Sequence, residues 1–265
     1  MIDTLFTYAF MQHAFMAGTL AALLSGIVGY FVMLRNLSFA THALGHIGFA
    51  GASGALLIAL SPMTGQLLFT LGAAIVMGML REPLLKNDMI IGIILSFCLG
   101  LGSLFLYLYN GYAGQATIIL FGNLLNVSLH DLKLILWLTL GSLAVLSLFT
   151  KQLLFASLEP ELAAAKGLAV NKLAILFMMI LSIAITLASQ VVGIILVFTL
   201  LIGPAAIAMQ WAYRFWTGLG LSVLLSLCTV WLGLSLSYWT NWPISFWITT
   251  IVFVVYLTTH LSRAW

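Results

Sequence analysis

From residue 8 to residue 34 the chain carries no charged side chain, and similar apolar runs recur at 40–60, 66–80, 89–109, 132–149, 173–212, 216–237 and 244–261. A helix needs about 20 mostly apolar residues to cross a bilayer, and lipid offers no partner to an open backbone, so such runs are restricted to helices or closed barrels. With only 6% charged residues, against roughly 25% in soluble domains, the chain reads as a polytopic membrane protein. The expected fold is all-α, a transmembrane bundle of about eight or nine spans forming one domain over residues 1–265. No length is left for a soluble domain. The run 173–212 is too long for one crossing, and Ser189, Gln190 and Gly193 near its middle divide it into two.

Charge placement orients the bundle. With the N-terminus outside, Arg35, Arg81, Lys86, Lys151, Lys166, Lys172, Arg214 and Arg263 all fall on the cytoplasmic side and only Lys133 falls opposite, as the positive-inside rule requires. That arrangement has nine crossings and treats residues 117–130 as a short external or re-entrant segment. The start, MIDTLFTYAF, lacks the basic region and cleavage site of a signal peptide, so the first span is expected to be retained. The basic residues are scattered singly, which argues against nucleic acid as a partner. Cys98 and Cys228 lie in apolar runs without a CxxC spacing and are expected to be buried thiols.

Within this setting the stretch SFATHALGHIGFAGASG, residues 38–54, is anomalous because it carries His42 and His46 one helical turn apart. Residues four apart share a helix face, so both imidazoles can address one point. Imidazole suits zinc, iron and related divalent ions, and manganese when oxygen ligands join it. Intramembrane ionisable residues usually mark transport routes. A lone histidine would more simply bond a carbonyl of a neighbouring helix; a pair favours a pathway role. The surrounding small residues are read as packing positions. The terminal GASG resembles the serine motif of rhomboid proteases, with Ser53 as nucleophile. The only histidines later in the chain, His130 in a loop and His260 near the C-terminus, lack the context such an enzyme needs for its base.

Active transport would need an external energy source. The chain has no GxxxxGK[ST] phosphate loop and no acidic residue at the centre of a span, with Asp88 and Asp131 at span edges. The longest polar interval, 151–172, holds five of the fifteen Asp, Glu, Lys and Arg residues and is the best candidate for a cytoplasmic docking loop. Inside it SLEPELAAAKG reads as a short helix. Pro160 suits the first position, Glu161 the positive dipole end, and Gly167 the stop.

Several ordered segments, FMQHAFMAGTLAALLSGIVGYFVMLRNLSFATHALGHIGFAGA, DMIIGIILSFCLGLG, LFGNLLNVSLHDL, EPELAAAKGL and SQVVGIILVFTLLIGPAAIA, resemble the metal-ion permeases of bacterial ABC importers, the ABC-3 family. The resemblance implies a non-enzymatic, multi-pass subunit of the bacterial inner membrane. It would form a permease dimer, be served by cytoplasmic ATPase subunits docked around Glu159, Pro160, Glu161 and Gly167, and receive its cargo from an extracytoplasmic metal-binding protein. The metal would be cargo, with no permanently bound cofactor. The family pattern places aspartate and histidine, in a G-D-A-L-S-H-like motif, where this chain has His42 and His46. Imidazole thus replaces carboxylate, Gly45 stands where serine is common, and Ala50 where proline is common. Nitrogen for oxygen should favour zinc or iron over manganese, and a metal chelate is a further possible cargo. The competing classes are an ATPase-independent carrier or channel and the rhomboid-like enzyme.

Overall fold

The computed structural model describes residues 8–80, 87–109, 120–122 and 127–262. Among the described residues the helices with defined bounds are α1 (Ala9–Leu34), α2 (Ser38–Leu57), α3 (Pro62–Met79), α4 (Asn87–Leu108), α5 (Leu129–Leu158), α6 (Pro160–Ala165), α7 (Val170–Val192), α8 (Val197–Trp211), α9 (Phe215–Thr240) and α10 (Ile244–Leu261). Seven of these, α1, α3, α4, α5, α7, α9 and α10, are long and apolar enough to cross a membrane. In α2 the histidines and glycines lower the hydropathy, although its 20 residues are a spanning length. The 15-residue α8 is the apolar remainder of the run divided near Gly193. The chain is therefore an all-helical, multi-pass membrane protein, as its apolar pattern requires.

Two helix starts depart from the sequence expectation for a local reason. Helix α3 begins four residues before residue 66, because the Ser61 hydroxyl accepts from the Thr64 N–H at 3.3 Å and Pro62 fills the first turn, a strong N-terminal signal. Helix α5 starts at Leu129 behind a capping box between Ser128 and Asp131, so His130 lies in its first turn and not in a loop. It then runs 30 residues to Leu158, about 45 Å at 1.5 Å per residue. That exceeds the roughly 30 Å hydrocarbon layer, and the first part of the 151–172 interval is helix continuing beyond the apolar run.

The core is centred on α1 and α7, the spans with the largest buried share, 67% and 72%. Phe31 and Phe177 meet there with ring centroids 6.1 Å apart, in the same core cluster as Leu24, Leu181, Ile185 and Leu200, all fully buried. Helix α4, only 17% buried, presents Ile93, Phe97 and Tyr107 outward, as a lipid-facing span does. Cys98 is buried but Cys228 is exposed, which corrects the expectation for the second thiol.

Because lipid removes the hydrophobic drive for helix association, close backbone approach and polar pairing do more of the holding. Helix α2 lies between α3 and α4. A Cβ at Gly51 would run into the Gly65 carbonyl of α3. The Gln66 amide donates to the Ser189 hydroxyl at 2.6 Å and Thr70 pairs with Thr186 at 3.3 Å, tying α3 to α7. The Ser222 hydroxyl donates to the Gly26 carbonyl at 2.8 Å, tying α9 to α1.

The described cations segregate between the two ends of the bundle. The Arg35 guanidinium lies 4.9 Å from the Phe177 ring centroid on α7, five residues along that helix from Lys172, and Phe31 meets Phe215, next to Arg214, at 5.6 Å. Arg35, Lys166, Lys172 and Arg214 thus share one end of the bundle. Lys133 and Lys151 stand at opposite ends of the apolar length of α5, about 27 Å apart by helical rise. Arg81, Lys86 and Arg263 lie outside the described residues, as do 117–119 and 123–126 of the 117–130 segment.

The α2–α3 crossing gives a direct test. Gly51→Leu should destabilise the detergent-solubilised protein by about 1–3 kcal/mol or abolish folding. Gly72→Ala, where nothing lies within 4 Å of the added carbon, should be neutral or gain up to about 1 kcal/mol. Thermal unfolding followed by size-exclusion chromatography reads both.

Candidate functional site

Helix α2 holds His42 and His46 on one face, with ring centroids 4.6 Å apart and planes at 77°. Taking a metal–nitrogen distance of about 2.1 Å, that separation fits two imidazoles on adjacent positions around one ion, roughly 90° apart. His42 is exposed and His46 half-buried, so the pair is approachable from outside this subunit. The sequence expectation that these two side chains meet holds in the structure. Among the described residues no group of three or more His, Cys, Asp and Glu side chains is placed to hold a metal, and the pair stands without a third ligand of those types.

Three features beside the pair were not anticipated from the sequence. Phe198 on α8 closes one side of His42, edge to face at 5.7 Å. A Cβ added to Gly45 would lie 2.8 Å from the Val197 Cγ1 atom and 3.6 Å from the Ile194 carbonyl oxygen, so the start of α8 is pressed against α2 at the level of the histidines. The chain between α7 and α8 is broken at Gly193, with φ +84°. A Cβ there would lie 2.6 Å from the Gly122 nitrogen, and a Cβ at Gly122, with φ +78°, would lie 2.6 Å from the Gly193 nitrogen. Two glycines in the left-handed region let these backbones stack, and the Ile195 N–H donates to the Leu120 carbonyl at 3.3 Å. Gly193 after Ser189-Gln190 was the only available signal, and it marked the break without showing what lies against it.

Helix α6 forms where SLEPELAAAKG predicted a short helix. Pro160 occupies its first turn, Glu161 is the acidic residue of that turn, and Gly167 closes it at φ +81°. Glu159 caps the N-terminus through its backbone alone. Glu159, Pro160, Glu161 and Gly167 are exposed while Ala163 is fully buried, so the helix rests on one small residue and presents the rest outward. The Lys166 ammonium lies 5.2 Å over the Phe155 ring.

Ser53 is not placed as a nucleophile. It is 1% exposed, and its hydroxyl is directed at the Phe49, Ala50 and Gly102 carbonyls at 2.8, 3.2 and 3.4 Å. The GASG motif is a packing element that brings α2 against α4.

A wide cavity of about 850 Å³ opens at the end of the bundle away from Arg35, lined by Phe10, Phe121, Gly122, Tyr238, Trp239 and Trp242 among others. Gly122 thus faces this cavity and also touches the α7–α8 break.

Residues 7–263 match the ABC 3 transport family, and the chain belongs to that family of membrane permeases. It is 33% identical over 245 residues to the manganese import system permease protein ScaB of Streptococcus gordonii, covering 91% of this chain and 86% of that one. It is 32% identical to the manganese transport system membrane protein MntC of Halalkalibacterium halodurans, over 78% of this chain and 71% of the relative. Among solved structures it resembles PsaBC from Streptococcus pneumoniae in complex with Fab, with a TM-score of 0.87 at 30% identity, covering 97% of this chain and 93% of the other.

If the Ser53 hydroxyl serves packing alone, Ser53→Ala should cost no more than about 1.5 kcal/mol and leave the purified yield unchanged. Differential scanning fluorimetry of the solubilised protein checks this.

Proposed function

We propose that this chain is the membrane-spanning permease subunit of an ATP-driven importer of divalent metal ions. The observation that carries the reading is the His42–His46 pair, two nitrogen donors 4.6 Å apart on a helix otherwise free of ionisable side chains, in a chain of the ABC 3 transport family. Relatives named for manganese import and transport support a metal as cargo. The multi-pass fold supports a bacterial inner-membrane location.

The steps follow from the residues. A dication stripped of part of its water shell needs replacement donors, and His42 and His46 supply two. Neither brings negative charge, so the ion is held weakly enough to leave again. His42 is exposed toward the outside of the subunit, which suits a pathway completed by a second permease copy. An extracytoplasmic metal-binding protein would deliver the ion at the end bearing the aromatic cavity. At the opposite end α6 offers Glu159, Pro160, Glu161 and Gly167, with Leu158 and Leu162 exposed beside them, as the docking surface within the 151–172 loop for a separate cytoplasmic ATPase subunit. ATP hydrolysis belongs to that partner, and the permease converts its motion into opening on one side at a time. Membership of an ABC transport family favours this over an ATPase-independent carrier or channel.

Loss of an outer-shell partner alone costs 10–100-fold in many metal sites, so His42→Ala and His46→Ala should each lower manganese and zinc uptake at least about tenfold at matched expression. Retained uptake in both variants rejects the ligand role. Glu161→Ala should leave ATP hydrolysis by the copurified complex measurable but no longer tied to transport. Unchanged uptake per ATP would remove Glu161 from the coupling surface.

A further inference from the structure

We propose that the cation held by His42 and His46 takes an additional ligand from the main chain of the α7–α8 break, through the carbonyl oxygen of Ile194. This deepens the reading of the histidine pair and rests on it.

The need for a further donor is set by the site itself. Two imidazoles fill two positions of an ion that takes four to six ligands, and among the described residues no third His, Cys, Asp or Glu joins them. The break supplies oxygen at that level. The helical donor for the Val191 carbonyl would be the Ile195 N–H, but that group is diverted to Leu120 at 3.3 Å. The carbonyls of Val191, Val192 and Ile194 accept no hydrogen bond among the described residues. Ile194 is only 2% exposed, which leaves its carbonyl little access to bulk water. Within a membrane an unpaired carbonyl is tolerated where it is buried in protein or lines a polar route, and unwound carbonyls at the end of a half-helix are cation donors in several transporter folds.

Position ties that oxygen to the pair. It lies 3.6 Å from the carbon that would extend Gly45, the residue immediately before His46. One turn of α2 earlier, His42 packs on Phe198 of the same α8 start. Gly45 is what allows this approach, since a methyl there would already overlap Val197.

The chemistry specifies a cargo class. A carbonyl is a hard, neutral oxygen donor, and the C-terminal end of α7 adds the partial negative charge of its dipole. Two nitrogens with such an oxygen form a mixed set that admits manganese as well as zinc. The backbone thus supplies oxygen character without a net charge that would slow release.

The test is pulsed electron–nuclear double resonance on the complete transporter, purified with its partner subunits and loaded with Mn2+, from cells grown on isoleucine labelled with 13C at the carbonyl. The expected spectrum has 14N couplings from imidazole together with a 13C coupling. The latter disappears in Ile194→Val, which keeps the carbonyl but not the label, while the 14N couplings persist. Imidazole couplings without a 13C coupling, or a 13C coupling that survives Ile194→Val, overturn the assignment of Ile194 and leave the histidine reading standing. Absence of 14N couplings overturns the histidine reading, and the inference with it.

Discussion

Every backbone donor and acceptor that enters a bilayer has to be satisfied inside the protein, and this requirement organises the rest of the structure. It makes the apolar runs helices and forces their ends toward water or into caps. It also turns the interruption between α7 and α8, Gly193 to Leu196, into a location that must be accounted for atom by atom. Part of the account is local: the Gly193 N–H returns to Ser189, and the Ile195 N–H goes across to Leu120. Two left-handed glycines, one on each chain segment, make that crossing contact feasible.

Much of the architecture can be read from the letters because hydrocarbon imposes a length on apolar runs. The spans around residues 8–34 and 244–261 and the divided run 173–212 are visible on that basis alone. Signals that act at single residues also work where they are chemically unambiguous, as Pro160 and Gly167 do for α6. The early start of α3 was encoded by Ser61 and Pro62, but hydropathy is blind to a cap formed by a hydroxyl. Likewise the length of α5 depends on helix propensity beyond the membrane, where no apolar pattern reports it.

The site was legible only in part for a different reason. That His42 and His46 share a face follows from the helical repeat, since four residues nearly complete a turn. What flanks them follows from the crossing of α8 over α2, a non-local contact that one-dimensional periodicity does not contain. Gly45 is informative only once Val197 and Ile194 are known to stand opposite it. Ser53 shows the converse hazard. A motif suggestive of a nucleophile dissolves when its hydroxyl is seen directed at three carbonyls, because a helical serine in a dry environment satisfies itself from the preceding turn.

Helix α7 connects the two regions to which function is assigned by proposal, α6 and the histidine pair. Its 23 residues form a rod of about 35 Å that starts four residues after α6 and finishes at the break beside the histidines. Short connections transmit displacement better than long ones, and Lys166 to Ala169 leave little slack between α6 and α7. A tilt applied at the Arg35 end would therefore be felt at Gly193, where the rod is joined to Leu120–Gly122 by backbone contact and one 3.3 Å hydrogen bond. The Gln66–Ser189 and Thr70–Thr186 pairs tie the same upper half of α7 to α3, and α3 packs on α2 through Gly51 and Gly65. Movement of α7 thus cannot leave the helix carrying the imidazoles undisturbed. In the proposed transporter this is the route by which work done outside the membrane alters the donors around the cation.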